Sequence, residues 1–299
     1  SAESGTWVYT AKDYHELVDK PTFVGDFDLD SAQIGSAWYR LATYPAGAMA
    51  GQNRDIMWNQ IQKMMPPMEA VTEDVPWSDY TTLMVFDPEF GGGSALEHSN
   101  SHLGIYHPQF LATSILASIT AHEIFHAWNV KRIRPADMWP YEYGRQMPTE
   151  LLWVSEGITD YYADLALVRG EIIPTQEFYR LTQDKIDEVN ATVPVALEDA
   201  SLSAWIGPRD GTSSIYYPKG SLVGFMLDIL IRDGSDNARS LDDVIKALYD
   251  DAYRAGNGFT EEELWTAVRA ASGGRDFTDF HDGYVDGRAA FAWDELLPL

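Results

Sequence analysis

His122, Glu123 and His126 stand in the order His-Glu-x-x-His within the run ITAHEIFHAWNVKRIRP, residues 119–135. Two imidazoles four positions apart share one face of a helix and can reach a single metal ion. A glutamate between them is placed to work on a water held by that metal, which points to zinc-dependent hydrolysis. A catalytic zinc takes three protein ligands and keeps a position open for water. The run LLWVSEGITDYYADLALVRG, residues 151–170, supplies Glu156 as the third ligand. Asp160 lies one turn further along the same helical face. It is read as accepting a hydrogen bond from the far nitrogen of a ligand imidazole, with His122 as first choice; such a contact fixes the tautomer and strengthens the ligand. A solvated acidic stripe is the competing reading of Glu156 and Asp160. Trp153, Tyr161 and Tyr162 around them argue against it.

Each of these residues needs an element to hold it. The histidines are expected on a helix whose upstream run is anchored by Leu111, Ile115 and Ile119. Pro135 ends that helix, with Lys131, Arg132 and Arg134 in its last turns, where cations suit the dipole. A second helix is expected over residues 151–170, with Gly170 as its stop. The run FGGGSALEHSNSHLGIYHP, residues 90–108, is the other informative stretch. Its glycines, Gly92 and Gly93 among them, allow a sharp turn or close approach to a ligand. Residues 94–106 alternate as a strand. At the rim of a metal cleft such a strand can pair with an extended peptide, and Glu97 on it could receive a substrate amine. A surface hairpin with an incidental glutamate and histidines is an equal alternative.

The remaining chain reads as support for these elements. Residues 1–30 form a lead-in of extended segments and turns, taken as the edge of an N-terminal domain. Residues 37–44 and 81–87 have strand composition. Residues 55–71 form a helix that Pro66 and Pro67 should end or kink, with its methionines as core filler. The loop-rich run over residues 193–220 is long enough to wall a cleft. Helices follow at 174–190, from Tyr217 to Gly234, after Ser240 and Thr260, and at 276–287; Thr260 and Glu263 have capping-box spacing. The fold class is therefore α+β, with a mixed first hundred residues and a mainly helical C-terminal half.

Composition narrows the function. The 299 residues contain no cysteine, which excludes disulfides and thiolate zinc sites. A net charge of −25 argues against nucleic acid and anionic membranes as partners. Asp228 interrupts the best apolar run, so no membrane span is expected. No signal peptide is visible in the first residues. A bacterial periplasmic or secreted location is favoured over a cytoplasmic one.

Taken together, His122-Glu123-x-x-His126-x-Trp128-Asn129-x-Lys131, Arg134-Pro135 and Trp153-x-x-Glu156-Gly157-x-Thr159-x-Tyr161-Tyr162 resemble the glycyl aminopeptidase family of gluzincin metallopeptidases. Gly92-Gly93 followed by Leu96-Glu97-His98 is similar to that family's glycine-rich Glu-His element. Tyr217-x-Lys219-Gly220 matches a tyrosine-bearing element of related gluzincin aminopeptidases. The resemblance implies a thermolysin-like catalytic domain over residues 31–299, residues 1–30 as a remnant of a β-rich domain, and no PDZ domain in this chain. It implies one catalytic Zn²⁺ on His122, His126 and Glu156, with Glu123 as general base. Glu97, with Gly92, Gly93 and His98, would recognise the free N-terminus of peptide substrates, with glycine or alanine preferred. Tyr217, or else Tyr216, would donate to the oxyanion. A zinc endopeptidase, a metal-free peptide-binding module and a zinc hydrolase of non-peptide bonds remain as alternatives.

Overall fold

The computed structural model describes residues 8–298; the first part of the expected lead-in, residues 1–7, lies outside them. A short helix α1 (Tyr14–Val18) precedes five strands: β1 (Asp28–Ile34), β2 (Ala37–Tyr44), β3 (Asp79–Phe86), β4 (Gly93–His98) and β5 (Ser101–Tyr106). The strands form one mixed sheet in the order β1-β2-β3-β5-β4. β1 pairs antiparallel with β2, β2 and β5 flank β3 in parallel, and β4 returns antiparallel on β5 as an edge. The single strand expected over residues 94–106 is thus a hairpin, turning at Ser99 and Asn100. Position 30, expected as a domain edge, falls inside β1.

A parallel β2–β3 pair needs a crossover, and α2 (Gln52–Thr72) supplies it. α2 continues through Pro66 and Pro67, so these prolines, which were expected to end or kink it, do not end it. The prolines cost helix hydrogen bonds, but burial of Met57, Ile61, Met64, Met65 and Met68 against the core offsets that loss. The methionines are core filler, as read from the sequence.

α3 (Ile115–Phe125) carries His122 and Glu123, and His126 caps its end. This departs from the expected helix in two ways. The upstream run is a separate 3₁₀ turn over Pro108–Ala112, and the helix stops at His126 rather than at Pro135. The buried face is also different: Leu116, Ala117, Thr120, Ala121, Ile124 and Phe125 are buried, whereas Ile115 is exposed. Beyond His126 the chain curls back, because the His126 carbonyl accepts from both Val130 N and Lys131 N. Arg132 and Arg134 then donate to the carbonyls of Ala127, Val130 and Lys131, so these cations do satisfy orphan carbonyls after the helix.

The C-terminal half is helical. A π-helical turn over Trp153–Ile158 leads into α4 (Thr159–Arg169), followed by α5 (Thr175–Ala191), α6 (Leu197–Ser203) and α7 (Tyr216–Gly234). α8 (Leu241–Leu248) and α9 (Glu261–Ala271) both open on complete capping boxes, the second being the expected Thr260 and Glu263 pair. One core links both halves, with Trp128, Trp153, Tyr80 and Tyr162 among its fully buried side chains. No helix among the described residues is long and apolar enough to cross a membrane.

Candidate metal centre

Three side chains meet where α3 ends and the π-helical turn begins. His126 Nε2 lies 2.8 Å from His122 Nε2 and 3.1 Å from Glu156 Oε2, and His122 Nε2 is 3.3 Å from the same oxygen. The far nitrogens decide what these contacts are. His126 Nδ1 is 2.7 Å from the Asn129 carbonyl oxygen, which can only accept, so the ring proton belongs there. His122 Nδ1 faces Asp160 Oδ1 at 3.8 Å, again an acceptor, in ion-pair range and longer than a hydrogen bond. Both Nε2 atoms and a carboxylate oxygen therefore converge on one point. A proton there serves one edge of the triangle, whereas a cation serves all three corners. A tetrahedral zinc about 2.0–2.1 Å from each ligand sets the ligands roughly 3.3 Å apart, close to the spacing seen. The residues fit zinc.

The electrostatics agree with a centre that draws positive charge. Burial works against an imidazolium at His122, yet Asp160 and Glu156 raise its pKa to about 10. Burial also disfavours charge on Glu156, but His126 and His122 hold that carboxyl well below its usual range. A metal entering here must displace the His122 proton.

Local backbone explains how two segments meet so closely. The π-helical turn leaves carbonyls without their usual partners. Asn129 Nδ2 donates to Val154 O at 2.8 Å and to Thr159 Oγ1 at 3.0 Å, clamping the Glu156 segment onto the end of α3. Two glycines then let α7 approach backbone to backbone. A Cβ on Gly157 would lie 2.5 Å from Gly220 Cα and 2.7 Å from Tyr216 O. That contact brings the start of α7 over the triad. The Tyr217 ring sits 5.9 Å from the His122 ring, and its phenol is close enough to Glu156 for that carboxylate's charge to act on it. Burial first, and Glu156 second, push the Tyr217 phenol far above its ordinary value. Tyr216 packs against Tyr217 at 4.8 Å between ring centroids.

Glu123 is buried and its Oε2 has no hydrogen-bond partner among the described residues. Leaving a carboxylate oxygen unserved is costly unless a ligand is to meet it. Burial raises its pKa to about 7, with the two histidines opposing and Glu97 and Glu156 adding to the rise.

The Glu-His element divides. Glu97 is half-buried on edge strand β4 and close enough for its charge to act on Glu123 and His126. His98, one residue on, belongs to the other face of the strand. It is buried beside Asp19 and Lys131. Gly93 pairs with Tyr106 at the far end of β4, and Gly92 O accepts from His107 N, so both glycines shape that end of the hairpin, away from Glu97.

Two contributors were not read from the sequence. Asn129 appears there only as part of a motif, and its clamping role needs the π-helical turn to be seen. Lys185 had no signal at all. Its ammonium lies 2.6 Å from Asp160 Oδ2, behind the His122 ring.

Fold and centre together are similar to those of zinc metallopeptidases. Residues 115–223, which hold all three ligand candidates, Glu123, Asp160 and Tyr217, match the family model described as M61 glycyl aminopeptidase. The family likeness read from the motifs is thereby borne out. Among solved structures, an aminopeptidase N family protein from Idiomarina loihiensis shares 24% identity, covering 96% of this chain and 51% of its own, with a TM-score of 0.87. An M1 zinc metallopeptidase from Deinococcus radiodurans shares 17% identity, covering 89% of this chain and 53% of its own, with a TM-score of 0.59. At these identities the likeness establishes the fold. The chain spans about half the length of these structures. No curated protein matches by sequence.

Proposed function

We propose that this chain is the catalytic unit of a zinc aminopeptidase that removes small N-terminal residues, glycine or alanine, from peptides. His122, His126 and Glu156 would hold the ion. When bound, zinc supplies polarisation of the attacking water and of the scissile carbonyl. Glu123, poised near neutrality by burial, takes the proton from that water and later delivers it to the leaving amine. The Tyr217 hydroxyl donates to the carbonyl oxygen as it gains negative charge. Edge strand β4 offers free backbone groups for an extended peptide, and Glu97 holds the protonated N-terminus one residue from the reacting carbonyl.

The observation that carries the zinc reading is the convergence of two imidazole nitrogens and one carboxylate oxygen, with both far ring nitrogens facing acceptors. Glu97 beside that centre favours removal of a terminal residue over internal cleavage. Alanyl-anilide and an N-acetylated peptide separate the two. Glu97→Ala is expected to lower cleavage of the free-amine substrate far more than that of the blocked one. Equal losses on both would make the enzyme an endopeptidase.

A further inference from the structure

Lys185 enters the junction of α4, α5 and α7 and meets three acceptors there. Its Nζ is 2.6 Å from Asp160 Oδ2, 2.7 Å from Asp164 Oδ2 and 2.7 Å from Ser221 Oγ. The ammonium donates hydrogen bonds to Asp164 and Ser221 and forms an ion pair with Asp160. Asp160 presents its other oxygen to His122 Nδ1. Ser221 lies one turn after Tyr217 on α7. We propose that Lys185 is a positioning residue of the metal centre, holding Asp160 against the back of the His122 ring and tying the Tyr217 helix to the same point.

The charge pattern of α4 makes the lysine necessary. Asp160 and Asp164 are one turn apart on one face, and Asp164 is buried. Two such carboxylates repel, and without a cation between them Asp160 has every reason to rotate toward solvent or to share a proton. Either change removes the acceptor behind His122. Lys185 cancels the repulsion and fixes which Asp160 oxygen faces the ring. A planar guanidinium would not reproduce the three-way contact.

A purely structural ion pair would give a different result from a positioning residue, and zinc affinity tells them apart. This inference rests on the zinc reading above. The experiment is competition of apo-protein against a chelating dye for Zn²⁺, with wild type, Lys185→Met, Asp160→Asn and the double variant, alongside thermal midpoints of the apo forms. Lys185→Met is expected to weaken zinc binding by ~10-fold or more, as outer partners of ligand histidines do. The double variant is expected to be no weaker than Asp160→Asn alone, because both act through one contact. Wild-type affinity in Lys185→Met, or losses that multiply in the double variant, would overturn the proposal, even if the thermal midpoint falls. Should Lys185→Met fail to fold, Lys185→Gln keeps a polar group in the junction and removes the charge; wild-type zinc affinity there has the same consequence. A wild-type protein that binds no zinc would instead remove the zinc reading itself.

Discussion

His122, His126 and Glu156 meet between α3 and the π-helical turn; Glu198, Glu261 and His281 meet near the surface, where α6, α9 and the turn after residue 280 come together. Both groups bring histidine and glutamate atoms within metal-ligand reach. In the second, His281 Nε2 lies 2.8 Å from Glu261 Oε1 and 3.2 Å from Glu198 Oε1, and Nδ1 lies 3.2 Å from Asp282 Oδ1. Every partner is an acceptor, and an imidazolium has a donor for each side. A proton is enough. In the first group two Nε2 atoms face each other and one carboxylate oxygen, and a proton on one of them serves only one edge of the triangle. The number of donors and their spacing hardly differ between the clusters. What separates them is where the ring protons must sit.

That contrast can be tested from its largest consequence downward. Glu156→Ala should abolish both zinc retention and peptide hydrolysis, read by metal analysis and an anilide assay, since two imidazoles alone leave the ion half held. Glu123→Gln should keep the zinc and lose ~10²–10⁴ of turnover, the range of a general base; a variant with substantial activity would remove that role. Tyr217→Phe should retain zinc and lose ~10²–10³ in kcat. Little change there would move the donor to Tyr216. Asp160→Asn should cost ~10–100-fold in zinc affinity or activity.

The smallest effect belongs to the other cluster. Burial lowers the His281 pKa, but Asp282, Glu261 and Glu198 more than compensate and raise it. A histidine raised in the folded state stabilises fully below its unfolded value of about 6.5, and that contribution fades as pH climbs through the folded value. The wild-type thermal midpoint should therefore fall as pH rises above about 6.5. His281→Gln should flatten that fall while leaving zinc content and turnover unchanged. Loss of a zinc ion in His281→Gln would break the contrast.

The sequence exposed the chemistry more fully than the backbone that delivers it. Side-chain spacing paired His122 with His126 and Glu156 with Asp160, because periodicity puts residues four apart on one face of a helix, and the structure brings the two pairs together. The sequence reading misjudged the end of α3, where Asn129 and the His126 carbonyl turn the chain back at a point no propensity marks. It also allowed α2 to end at Pro66 and Pro67, where the helix continues and buries its methionines. The π-helical turn that carries Glu156 is invisible to a 3.6-residue periodicity. Gly157 and Gly220 look like ordinary helix glycines until the close approach of α7 to the Glu156 segment is seen. Lys185, far along the chain from both histidines, belongs to the centre only through tertiary packing.

The most direct trial of this account is zinc counted per chain in the purified protein, in wild type, His126→Ala and His281→Gln under one protocol. The account predicts one ion, none and one. Two ions in wild type, or an ion lost with His281 and kept without His126, would contradict it.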